Sequence, residues 1–121
     1  MKTYDLTYDD GRVFGFEVLN VFLPRSTACR IAQRIPGAKL IRGPGIFPRE
    51  DVFCEFELEG VTFMLWEPWG DNSRYWISPK TGKPVPQTDR VREEFTRWHP
   101  FGFFQHWVAC LRLILRASDA L

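Results

Sequence analysis

The densest chemistry in this sequence lies in one run, Trp66-Glu67-Pro68-Trp69-Gly70-Asp71-Asn72-Ser73-Arg74-Tyr75-Trp76. It joins two carboxylates, an amide, a hydroxyl and a guanidinium to four large aromatic rings. Arg74 could clamp a carboxylate or phosphate, and Glu67 could accept a proton. The rings of Trp66, Trp69, Tyr75 and Trp76 could wall a polar ligand or a partner's surface. Local explanations compete with each role. Pro68, Gly70, Asp71, Asn72 and Ser73 are turn formers, and Asp71 or Asn72 can bond its own backbone as an Asx-turn. Arg74 has Glu67 and Asp71 nearby in the chain as ion-pair partners.

Other catalytic constellations lack their parts. His99 and His106 are seven residues apart with Pro100 between them, which is not the spacing of paired zinc ligands on a helix. No G-x-S-x-G elbow occurs, so a serine-hydrolase triad has no nucleophile. The glycines of Arg42-Gly43-Pro44-Gly45 match neither a P-loop nor a dinucleotide fingerprint, and proline removes amide donors. Cys29, Cys54 and Cys110 are widely spaced without a C-x-x-C and sit in apolar patterns, which points to reduced core thiols. The reading assigns no catalytic residue, no metal ligand and no cofactor.

The elements that must position the aromatic run follow from periodicity. Asp10-Gly11 between two strand-like runs predicts a hairpin over 3–19 with a two-residue loop, Tyr8 facing Val13 and Thr7 facing Phe14. A helix is expected from Pro24 to Arg34, with Ala28, Ile31, Ala32 and Ile35 as its apolar stripe. Ala38–Ile41 is a short strand. Val52, Cys54, Phe56 and Leu58 alternate with Phe53, Glu55, Glu57 and Glu59. A turn at Glu59-Gly60 returns the chain so that Leu58 opposes Val61, Phe56 opposes Phe63 and Cys54 opposes Leu65. Phe53, Met64 and Trp66 then share the opposite face with the glutamates. A strand over 74–78, prolines through 79–86, and a helix capped by Thr88 with Val91, Phe95 and Trp98 on one face complete the pattern. His99-Pro100 should end that helix.

A last helix is expected over 102–117. Phe104, Trp107, Val108, Leu111, Ile114 and Leu115 fill its broad face, His106, Cys110 and Leu113 flank it, and Gln105, Ala109, Arg112 and Arg116 form its polar stripe. So much apolar circumference predicts a second covering surface, and a homodimer packed through Phe104, Trp107, Leu111 and Ile114 is the expected one.

Composition sets the outer limits. A chain of 121 residues, 45% hydrophobic and 26% charged, is one domain's worth; it can bury about two thirds of its surface without staples. There is no apolar leader at the start and no stretch long enough for a membrane span, which points to a cytoplasmic protein. The net charge of +1 hides blocks: −2 over 1–24, +6 over 25–49, −7 over 50–71 and +4 over 72–121. Arg25, Arg30 and Arg34 lie on the helix face away from the apolar stripe. They form a candidate docking surface for phosphate or an acidic partner, with compensation by the adjacent acidic block as the alternative. Near-neutral total charge and the absence of a reader motif argue against nucleic acid.

The stretches FCEFELEGVTF from Phe53 and EPWGDNSRYW from Glu67 resemble those of a group of short, uncharacterised bacterial proteins, over about residues 14–78. The resemblance implies a compact one-domain bacterial protein and no activity. In size and character such chains are similar to immunity or mobile-cassette proteins, an analogy of style.

These observations predict a single α+β domain over 1–121: an antiparallel sheet of five or six strands with one central and two C-terminal helices on one face. The expected function is that of a non-enzymatic protein-binding module, immunity-like or adaptor-like, that pairs with itself and with another protein. The alternative is a small-molecule binder or minor enzyme that takes a small anionic ligand at Glu67, Asp71 and Arg74.

Overall fold

The computed structural model describes residues 1–44, 51–68 and 73–99. Within them the elements run β1 (Tyr4–Thr7), β2 (Val13–Leu19), helix α1 (Arg25–Gln33), β3 (Lys39–Arg42), β4 (Val52–Leu58), β5 (Val61–Trp66), β6 (Arg74–Pro79) and helix α2 (Gln87–Arg97). The strands form one six-stranded sheet in the order β1-β2-β6-β5-β4-β3. All neighbours are antiparallel. The architecture is α+β.

The order explains why a helix follows the first hairpin. Four antiparallel steps separate β2 from β3, so these two strands run in the same direction, and a parallel return needs a crossover. Helix α1 is that crossover. Its stripe is as expected: Ala28, Ile31 and Ala32 are buried, with Ile35 just beyond the helix. Small alanines let the helix lie close to the sheet. Phe16, Val18, Cys54, Phe56, Leu58, Phe63, Leu65, Tyr75 and Ile77 supply the sheet's side of the core, and Val91 and Phe95 bring α2 onto it.

The β4–β5 hairpin has the expected register, with Leu58 opposite Val61, Phe56 opposite Phe63 and Cys54 opposite Leu65. Glu59 at φ 52° and Gly60 at φ 80° both take the left-handed conformation that a two-residue loop of this twist demands. The Phe56 and Phe63 rings stack 5.4 Å apart.

Four expectations are corrected. The first hairpin closes through three residues, not two: Tyr8 N–H donates to Arg12 O and Gly11 N–H to Tyr8 O. Gly11 sits at φ 84° as the extra left-handed residue, so Thr7 and not Tyr8 opposes Val13. Asp10 favours this loop by accepting from both the backbone N–H and the Nε of Arg12. Phe53 is in the core, because a bulge between Val52 and Cys54 turns it inward. Thr88 does not cap α2; Pro86 holds that position, and Thr88 is buried as the second helical residue. β3 starts at Lys39 and leaves both Leu40 and Ile41 exposed.

Helix α2 ends at Arg97, and Trp98 is already extended, as the approaching His99-Pro100 requires. The helix expected over 102–117, with Phe104, Trp107, Leu111 and Ile114, lies outside the described residues. No helix among the described residues is long and apolar enough to cross a membrane.

Candidate functional site

Strand alternation sorts the aromatic run onto two sides of the sheet. Trp66 pairs across the ladder with Trp76, Trp76 with Glu17, and Glu17 with Tyr4, while Val52 flanks Trp66 on the other side. These five residues form one row across the sheet surface opposite the core. Neither α1 nor α2 packs there, since both helices contribute to the core on the other face. All five are half-buried rather than fully wet, because large rings on neighbouring strands cover one another.

Glu17 organises the row. Its Oε1 accepts from the Arg74 guanidinium, and its Oε2 accepts from Trp76 Nε1 at 2.9 Å. Arg74 lies over the Tyr4 ring, 5.4 Å from its centroid. The Trp66 and Trp76 rings meet edge to face at 5.0 Å. Trp76 thus satisfies its N–H, but Trp66 does not. Its Nε1 is shielded from water and has no hydrogen-bond partner among the described residues. A buried donor without an acceptor costs on the order of 1–3 kcal/mol, so native proteins rarely retain one without a use for it.

Glu67 and Tyr75 belong to the opposite side. Glu67 pairs with Arg25 of α1 at 3.0 Å, and the Arg25 guanidinium covers the Phe53 ring at 5.0 Å. Tyr75 is a core residue and not a wall of the site. Its ring packs on Phe53 at 4.9 Å, and its hydroxyl donates to Leu23 O at 2.8 Å. The structure therefore brings Trp66, Arg74 and Trp76 together and separates them from Glu67 and Tyr75. Arg74 pairs with Glu17, and of the two partners its sequence neighbourhood offered, Glu67 pairs instead with Arg25. Trp69, Asp71 and Asn72 lie outside the described residues.

Glu17 is the residue that sequence reasoning missed. The one available signal was a carboxylate at an outward position of an otherwise apolar strand. Its partners are 57 and 59 residues away, and only the insertion of β6 beside β2 makes them neighbours.

The basic helix is partly compensated. Arg25 of the +6 block holds Glu67 of the −7 block, and Arg42 reaches Glu55 at 3.4 Å. Arg30 and Arg34 are exposed and form no ion pair among the described residues.

Tyr75 makes a pH-dependent prediction. Burial, then the nearby Glu67 carboxylate, push its phenol above the ordinary value of 10.0, with Arg25 opposing. The folded state therefore holds the phenolic proton more tightly than the unfolded state. The resulting stability is intact below pH 10 and falls as pH rises past that value, because unfolding then releases a proton. Tyr75→Phe should remove this part of the alkaline decline while lowering neutral-pH stability by about 1 kcal/mol through the lost hydroxyl bond. Urea unfolding of both proteins across that pH range measures it; parallel declines would refute the assignment.

Comparison with protein-family models, with curated proteins and with solved structures finds no significant match to this chain.

Proposed function

We propose that the protein is a non-enzymatic, cytoplasmic protein-binding module of the small bacterial kind, immunity-like or adaptor-like, whose partner docks on the Tyr4–Glu17–Trp76–Trp66 face. The observation that carries this reading is the Trp66 N–H, which has no partner among the described residues, on a half-buried aromatic face. Aromatic rings with a polar tip are what interface centres favour, because they offer large contact area at small entropic cost. A carbonyl or carboxylate of the partner would complete the hydrogen bond. The alternative ligand, a small anion, needs the Arg74 guanidinium, and Glu17 already occupies it. That supports a partner over an anionic ligand. The homodimer belongs to the same reading: Phe104, Trp107, Leu111 and Ile114 supply the self-association face, and Arg30 and Arg34 remain as a basic surface.

Trp66→Phe tests the proposal, because it removes the donor and keeps most of the ring. The variant should be as stable as the parent or slightly more so, since an unsatisfied donor is deleted. It should nevertheless lose the partner that the immobilised parent captures from native host extract. Equal capture by both proteins would overturn the site. The parent should elute with twice the chain mass in size exclusion with light scattering, and a monomer mass would dispose of the dimer.

A further inference from the structure

The turn between β2 and α1 meets the end of α2 at an apolar groove. Met1, Leu19, Val21, Phe22, Leu23 and Trp98 wall a cavity of about 200 Å³ there. Lys2 is the one charged side chain among the described residues that line it. Leu19, Val21 and Phe22 are three of the six large hydrophobic residues exposed among the described residues, and Phe22 is 68% exposed. Three such side chains gathered at one groove mark a surface that another apolar group covers, whereas scattered ones would not.

Phe22 reaches this groove through a strained backbone. Leu23 N–H donates to Asn20 O at 3.0 Å and closes a turn whose third residue is Phe22, at φ 60°. Glycine or asparagine ordinarily takes such a position, because a side chain crowds the backbone in the left-handed region. A bulky residue held there is a genuine outlier, and outliers of this kind collect where a contact makes use of them. The turn spends strain to present a phenyl ring at the groove.

Size and chemistry limit the occupant. The cavity is smaller than the roughly 300–1,000 Å³ of small-molecule sites, and its lining offers few groups to orient a polar ligand. It suits apolar side chains supplied by a polypeptide. The chain carries such side chains past this very place. The Met1 ammonium donates to the carbonyls of Phe95, Thr96 and Trp98, which holds Trp98 in the groove wall. Phe101 follows three residues later, so even a fully extended chain puts it no more than about 11 Å from Trp98. Phe103 is two residues further on. A tethered side chain acts at an effective concentration of millimolar order, which a separate partner must exceed to displace it.

We propose that this groove is the docking site of the chain's own C-terminal segment, with Phe101 and Phe103 seated against Val21, Phe22 and Trp98. These two phenylalanines are outside the Phe104, Trp107, Leu111 and Ile114 set assigned to self-association, so docking leaves that set available to a second chain. The inference rests neither on the partner-binding face nor on the dimer.

Photocross-linking of the full chain tests it, with Phe22 replaced by its 4-benzoyl derivative. Irradiation should join position 22 to residues 100–104 of the same chain, and the product should keep the mass of one chain after denaturation. A product of two chain masses would give the groove to a second copy and overturn the proposal. So would a cross-link to any other segment, or none at all. Limited digestion supplies a second measurement. Phe22→Gly relieves the backbone and removes the ring, so chymotrypsin should cut after Trp107 at least about tenfold faster than in the parent, since cleavage follows the population of the released segment. Phe101→Ala should act alike, and the two changes together should add little, because both remove one contact. Unchanged cleavage in Phe22→Gly, or effects that multiply in the double variant, would show that the two residues do not meet.

Discussion

Gly15→Ala should destabilise the protein by at least about 3 kcal/mol, although alanine ordinarily strengthens a strand at glycine's expense. A Cβ at position 15 would stand 2.6 Å from the Ile77 carbonyl oxygen and 2.8 Å from Ser78 Cβ. One of those atoms is backbone, so no side-chain rotation relieves the contact. The position matters because β2 and β6 form the sole joint between the β1–β2 hairpin and the other four strands of the sheet. Relief requires β2 to move away from β6, which disturbs the adjacent Phe16–Ile77 pair and the buried rows behind it. Since the clash begins at Cβ, Gly15→Val should cost only moderately more than Gly15→Ala. Urea unfolding should show a lower midpoint at an unchanged slope for the alanine variant. A midpoint equal to the parent's would mean that the strands can separate freely there, contrary to this geometry.

Phe95→Ala should cost about 3–5 kcal/mol, a large part of the roughly 5–15 kcal/mol that holds a small domain folded. Phe95 is fully buried and meets Phe16 of β2 edge to face at 5.6 Å. Helix α2 is a polar helix that buries only Thr88, Val91 and Phe95. Arg92 adds ion pairs to Asp5 and Asp89, each at 3.1 Å, but Asp5 and Asp89 are well exposed, and such pairs contribute little. Removing the ring therefore leaves a cavity under a helix with one large anchor gone. Hydrogen exchange should show the α2 amides opening at a free energy well below that of the β4–β5 core. Uniform protection across α2 and the sheet would show that other contacts hold the helix.

Much of this architecture was legible from local chemistry. In β4 and β5, alternation and the Glu59-Gly60 turn left a single register that pairs Leu58 with Val61, Phe56 with Phe63 and Cys54 with Leu65 on one face, and the structure has it. Helix α1 was legible because its apolar residues recur at helical spacing, and the end of α2 because proline follows. Local signals failed where one inserted residue changes parity. The Asp10-Gly11 pair reads as a two-residue turn, yet the loop takes a third residue and shifts the pairing beside it to Thr7–Val13, and a bulge between Leu6 and Thr7 restores the expected register for the rest of the hairpin. Another bulge changes parity at Phe53 and moves it from the glutamate face into the core. Each costs little locally and is favoured by what it buries or bonds elsewhere.

What the amino-acid order determined by itself was the set of elements, their apolar sides and the concentration of aromatic and polar groups at 66–76. Only the tertiary structure decided which of those groups act together. Placing β6 between β2 and β5 puts Arg74 and Trp76 on Glu17, puts Trp66 beside Trp76, and sends Tyr75 into the core and Glu67 to Arg25. Periodicity reports the side of an element on which a residue lies, because successive residues are covalently coupled. It carries no information about which distant strand will lie alongside, since that is set by the burial of the whole sheet at once.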